Sequence, residues 1–206
     1  PACLITIYRM MRIKNAVTSI LIYFLCAVCQ AQPNIVILFA DDAGYMDFGF
    51  TGTDDLKTPR IDQLASEGII CTQGYVTASV CSPSRAGLLT GRYQQRFGHE
   101  TNLRGKDVGL PLTEQTLADR LGKHGYKTCA IGKWHLGHDS DDFWPTNHGF
   151  DYYYGLLHHY EIDQPLYRNH TVIEKHPINP KTLTKRYTEE TLAFIRENKS
   201  KPFFAG

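Results

Sequence analysis

Residues 34 to 40, Asn-Ile-Val-Ile-Leu-Phe-Ala, form an unbroken apolar run rich in β-branched side chains. A strand covered on both faces needs such a run, so the pattern predicts a central strand there, ending at Asp41 and Asp42. Thr58-Pro59 makes a good N-cap and first-turn pair, Ile61, Leu64 and Ala65 recur at helical spacing, and Gly68 can stop the helix. Ile69 to Val76 reads as a further strand or its approach. Ser82-Pro83 opens a second helix running through Leu88 and Leu89 to Gly91, and Thr113 to His124, closed by Gly125, is a third. Tyr126 to Ile131 is the next strand. From Gly132 to about Lys181 the chain becomes irregular and rich in His, Pro, Asn and Tyr, before a helix near Thr184 to Asn198 and a strand beginning at Pro202. Strand and helix alternate, which predicts an α/β fold with a mostly parallel sheet flanked by helices. Ligands of such sheets collect beyond the carboxyl ends of strands, where Asp41, Asp42 and the Gly132 to His138 segment fall.

Composition narrows the function classes. The chain has 206 residues, 42% of them hydrophobic, with 22 Lys plus Arg against 21 Asp plus Glu. Arg9, Arg12 and Lys14 stand among the first 31 residues, which hold no acid, so the remainder carries 19 bases against 21 acids. Nucleic-acid binding wants a basic excess, and that class is excluded. Ala16 to Ala31 is the only long apolar stretch; it follows Arg12 and Lys14 and closes on Cys29-Gln30-Ala31, small-x-small. Residues 10 to 31 are therefore read as a cleavable export signal, too short for a membrane anchor, which leaves no stable membrane insertion after cleavage. Pro1 precedes the plausible starts Met10 and Met11, and Lys201 to Gly206 looks like a strand just begun. Residues 32 to 206 are expected to be the amino-terminal part of a longer domain. Of the six cysteines, Cys71, Cys81 and Cys129 persist after the signal, and an odd number in an exported protein leaves at least one outside any internal disulfide.

Two groups of residues carry chemistry. Asp41 and Asp42 are adjacent carboxylates that repel one another, and a hard divalent cation such as Ca²⁺ suits them; a solvated turn is the alternative. Cys81 stands where the N–H groups of a helix start would face an anion, and Arg85 is one turn further on. That arrangement fits a reactive thiolate, or a buried structural cysteine at a capped helix.

Cys81-Ser82-Pro83-Ser84-Arg85, followed by Leu89-Thr90-Gly91-Arg92, resembles the signature of the type I sulfatases, whose cysteine is oxidised after synthesis to formylglycine. The resemblance extends through Pro33-Asn34-Ile35-Val36 with Asp41-Asp42-Ala43-Gly44-Tyr45, Thr58-Pro59, Ile61-Asp62, Gly132-Lys133-Trp134-His135-Leu136-Gly137 and His148-Gly149-Phe150-Asp151, in the family's order. It implies an alkaline-phosphatase-like sheet, here incomplete at its carboxyl end. It also implies a sulfuric ester hydrolase, arylsulfatase-like, in which Asp41, Asp42 and residue 81 contact Ca²⁺, or Mg²⁺ in its place. Residue 81, as the hydrated aldehyde, would be the nucleophile, Arg85 would hold the hydrate, Lys133 would bind a sulfate oxygen and His135 would contact the second hydroxyl. A sulfate monoester carries negative charge, so the cation, Arg85 and Lys133 must offset it before an oxygen attacks sulfur.

The family's remaining ligands come from sequence beyond Pro202, so the 206 residues alone are expected not to turn over substrate. Other readings are a phosphate or phosphonate ester hydrolase of the same superfamily and a non-catalytic binding protein. The expected substrate is a sulfated glycan or a small aryl sulfate, with His158 and His159 bordering it; a surface His pair is the alternative. A formylglycine-generating maturation enzyme is the implied partner. The implied location is periplasmic or extracellular, or a lysosome-type compartment in a eukaryote.

Overall fold

The computed structural model describes residues 32–103, 108–158 and 164–206, so the export signal expected at residues 10 to 31 and His159 lie outside the described residues. Four strands run parallel in the order β1 (Ile35–Val36), β6 (Phe203–Ala205), β2 (Lys127–Lys133), β3 (Tyr152–Leu156). An antiparallel hairpin, β4 (Leu166–Arg168) and β5 (Thr171–Glu174), extends the sheet beyond β3. The helices are α1 (Pro59–Glu67), α2 (Cys81–Thr90), α3 (Leu117–Gly122) and α4 (Pro180–Asn198). The expected α/β class is therefore observed, as a mixed sheet.

Differences from the sequence reading have physical causes. The run from Asn34 to Ala40 pairs as a strand only at Ile35–Val36, and Leu38 is 80% exposed. Among the described residues β1 has a strand neighbour on one side alone, so its apolar side chains lack the second cover that their pattern calls for. Ile69 to Val76 forms no strand, and α1 buries none of its residues. The segment read as irregular holds β3, β4 and β5, because the aromatic run Tyr152 to Tyr154 and the β-branched run Thr171 to Ile173 fit a pleated surface although Asn, His and Pro interrupt them. The third helix starts at Leu117, later than expected. Thr116 is its N-cap, its side chain accepting from the Asp119 N–H while Asp119 returns the bond to the Thr116 N–H.

The core lies where the sheet meets these helices: Leu110, Ala118, Trp134, Leu136, Tyr153 and Phe204 form its largest cluster. Side chains of this size contribute roughly 1.5–3 kcal/mol each when fully buried. The His148-Gly149-Phe150-Asp151 motif ties α3 and β3 to the start of β2. Thr116 Oγ1 donates to the His148 carbonyl (2.7 Å), Thr128 Oγ1 donates to the Gly149 carbonyl (2.7 Å), and the Asp151 N–H donates back to Thr128 Oγ1 (2.9 Å). Gly132 and Gly155 are register partners on β2 and β3, and a Cβ at Gly155 would stand 1.8 Å from the Gly132 carbonyl oxygen. Two glycines thus bring the strands together just before Lys133.

Candidate active site

The described site residues expected from the sequence lie at or beyond the carboxyl end of a parallel strand, or at the start of α2. Asp41 and Asp42 come after β1, Lys133 closes β2, His135 lies two residues on, and His158 follows β3. β2–β3 pairing continues past the strands proper, with the Trp134 N–H donating to the Leu156 carbonyl (2.9 Å) and the His135 N–H to the Leu157 carbonyl (2.9 Å). Trp134 and Leu136 enter the core, and the Trp134 indole donates to the Phe143 carbonyl (2.7 Å). Lys133 is the last residue of the strand, and His135, at φ 60°, leaves the extended path and is itself buried.

Asp41 is the meeting point. Its Oδ2 accepts from Arg85 Nη2 (2.8 Å) and lies 2.9 Å from Lys133 Nζ, and all three side chains are less than one fifth exposed. Arg85 also donates through Nη1 to the Lys133 carbonyl, and its guanidinium stands over the Phe39 ring, 5.1 Å from the centroid. Helix α2, strand β2 and the chain after β1 are thereby joined through one guanidinium. Burial alone would raise the Asp41 pKa, but hydrogen bonds from Lys133, Asp42 and Arg85, with the Arg85 charge, hold it well below the usual carboxylate range. Asp42 moves the other way, raised by its hydrogen bond to Asp41 and by that neighbour's negative charge.

Cys81 is the first residue of α2, half-buried, with Arg85 on the next turn of the same helix. Its Sγ donates to Asn102 Oδ1 (3.4 Å), which also accepts from the Ser82 N–H (3.1 Å). Ser82, fully buried, donates through Oγ to the His135 carbonyl (2.7 Å) and lies 2.6 Å from His99 Nε2. The His135 ring is 4.2 Å from that of His158, which is in turn 5.4 Å from His138. The structure thus gathers Asp41, Arg85 and Lys133 into direct contact and sets His135 beside His158. A cleft of about 1450 Å³ is lined by Asp41, Asp42, Arg85, Lys133 and His158 at one end. Asn102 and His99 escaped the sequence reading, because nothing in the spacing of a residue 21 positions from Cys81, across a loop, says that the chain returns.

The donor set suits a hard cation in part. Asp41 and Asp42 are adjacent carboxylates, one of them raised by the other, and a positive ion would relieve that repulsion. No group of three or more His, Cys, Asp or Glu side chains placed to hold a metal occurs among the described residues, so Asp41 and Asp42 would need further ligands to form a coordination shell. Arg85 Nε is buried and without a hydrogen-bond partner among the described residues, as an oxygen-rich ligand at this point would require.

Comparison with known proteins follows the same residues. The family model described as Sulfatase matches residues 33–206. Arylsulfatase G of Mus musculus is 36% identical over 201 residues, covering 81% of this chain and 38% of that protein. N-acetylgalactosamine-6-sulfatase of Mus musculus is 38% identical over 207 aligned positions, covering 87% of this chain and 40% of that protein. Among solved structures, the PsFucS1 sulfatase from Pseudoalteromonas sp. superposes with a TM-score of 0.75 at 29% identity, over 89% of this chain and 44% of that one. The chain spans about two fifths of the length of these curated relatives. With its sheet, its Cys81 to Arg85 helix start and its whole described length from Pro33 onward matched, the chain belongs to the type I sulfatase family.

Proposed function

We propose that the full-length protein hydrolyses sulfate monoesters, with residue 81 as nucleophile once oxidised to formylglycine. The observation that carries this reading is the convergence of Arg85 and Lys133 on one oxygen of Asp41, beside the helix start that bears Cys81. Two cations held in a partly buried site offset the charge of a sulfate group far more effectively than the same pair in water. Both keep donors beyond their bonds to Asp41: Arg85 has Nε, and an ammonium has three hydrogens to give.

Asp41 and Asp42 would hold Ca²⁺, or Mg²⁺ in its place, and residue 81 would complete their side of the shell. When present, the cation supplies Lewis acidity and the oxidised residue 81 supplies the attacking oxygen. Lys133 binds a sulfate oxygen, Arg85 holds residue 81 and its ligand, and His135 takes the proton from the residue 81 hydroxyl. His158, its ring against His135 and its side chain in the cleft wall, borders the group that carries the sulfate. The names of the relatives favour an aryl sulfate or a sulfated aminosugar as substrate. Maturation requires a formylglycine-generating enzyme, and the export signal would send the protein to the periplasm, the cell exterior or a lysosome-type compartment.

The test uses the full-length polypeptide, matured in cells that carry the maturation enzyme, with para-nitrophenyl sulfate and para-nitrophenyl phosphate as paired substrates. Sulfate is expected to be hydrolysed in preference, with activity lost in Cys81→Ala. Preference for the phosphate ester would instead make the protein a phosphatase of the same superfamily, and turnover of neither ester nor of a 6-sulfated N-acetylgalactosamine would make it a binding protein.

A further inference from the structure

We propose that Asn102 is a positioning residue for the nucleophile: its side-chain oxygen caps helix α2 and fixes the side chain of residue 81 in one orientation. This deepens the reading of residue 81 as the nucleophile and rests on it. Val80, the residue before α2, has no side-chain oxygen and caps nothing, so the first N–H groups of the helix need an acceptor from elsewhere. Asn102 provides it from the loop after the 3-10 turn at Gln94–Phe97, taking the Ser82 N–H (3.1 Å) and the Cys81 thiol (3.4 Å) on the same Oδ1.

The loop that delivers Asn102 is itself pinned. Ser82 Oγ spends its one hydrogen on the His135 carbonyl (2.7 Å), so its bond with His99 (2.6 Å) runs the other way, from His99 Nε2–H to the hydroxyl. His99 is 4% exposed, and burial lowers its pKa and keeps it neutral, with the proton on Nε2. The loop carrying His99 and Asn102 therefore grips two consecutive residues, Asn102 holding both Cys81 and Ser82 and His99 holding Ser82 again, and reaches His135 through Ser82. A carboxamide oxygen accepts from a hydroxyl as well as from a thiol, so the contact is available to the oxidised residue 81 too.

Two experiments on the full-length polypeptide test this. In protein made without the maturation enzyme, the rate of Cys81 alkylation by iodoacetamide is measured by mass spectrometry for wild type, Asn102→Ala and Asn102→Asp. Removing the acceptor is expected to speed alkylation by about threefold or more, and Asn102→Asp, which keeps an acceptor but sets a negative charge beside the sulfur, to slow it. Equal rates in all three overturn the proposal. If Asn102→Ala fails to fold, the Asp variant decides alone: a slower rate supports the contact and an unchanged rate overturns it. In matured protein of equal residue 81 aldehyde content, Asn102→Ala is expected to lower kcat about tenfold with KM within about twofold. An unchanged kcat overturns the positioning role. If the wild type itself cleaves no sulfate ester, the sulfatase reading fails while the alkylation order still tests the Asn102 contact.

Discussion

At the scale of single residues, Arg85 combines several jobs, of which Lys133 shares only the pairing with Asp41. It neutralises Asp41, holds the carbonyl end of β2 and stacks on Phe39. A lysine could keep the charge but not the fork, so Arg85→Lys in the full-length protein is expected to lower kcat/KM by about 10²-fold or more, measured with an aryl sulfate. Cysteine chemistry is divided just as sharply. Cys71 is exposed, whereas Cys129 is fully buried on β2 and its thiol is pushed up to about 12 by burial, against a weaker opposing effect from the Gly206 backbone. In native protein a maleimide is expected to label Cys71 within minutes and Cys129 only after denaturation, as read by peptide mass spectrometry; labelling of Cys129 in the native state would contradict the placement of that side chain.

Elements of the fold meet through a few shared atoms. Thr116 caps α3 and also donates to the His148 carbonyl from a fully buried position. Thr116→Ala removes the cap and leaves that carbonyl without its donor, so a loss of about 1–3 kcal/mol is expected from urea denaturation, whereas Thr116→Ser should recover most of it. Where β2 and β3 pass one another, a methyl at position 155 has no room beside the Gly132 carbonyl. Backbone rather than a flexible side chain is in the way, and Gly155→Ala is expected to displace the β2 end and Lys133 with it. The measurable outcome is a lower melting temperature together with loss of activity.

For the molecule as a whole, buried histidines couple stability to pH. Burial lowers the pKa of His148, against opposing effects of the Asp119 charge and the Asp142 backbone, and burial lowers that of His99. In the unfolded chain these imidazoles titrate near 6.5. As pH falls below that value the unfolded state takes up protons that the folded state does not, and stability must fall. The urea midpoint is therefore expected to be steady above about pH 7 and to drop between about pH 6.5 and 5, with a shallower drop in His148→Gln. At this same scale, no helix among the described residues is long and apolar enough to cross a membrane.

Much of this protein was determined locally and so could be read along the chain. Pro59, Gly68, Gly91, Gly125 and the stripes between them set helices α1 and α2 and the end of α3, because helix starts, stops and periodicity act within a few residues, although the Thr58 side chain expected to cap α1 accepts from the Gly49 N–H and donates to Asp62 instead. The Cys81 to Arg85 run and the Gly132 to Gly137 motif were legible as a resemblance to the sulfatases, because both are short contiguous stretches, a helix start and a strand end. The hairpin β4–β5 was hidden, since its strands are short and its pairing partner lies in β3. That Asp41 takes both Arg85 and Lys133, that His158 lies against His135, and that Asn102 returns to cap α2 were decided by tertiary structure alone. These contacts join residues from 20 to 92 positions apart, across strands whose order β1-β6-β2-β3 differs from their order in the chain, and no local propensity carries that information.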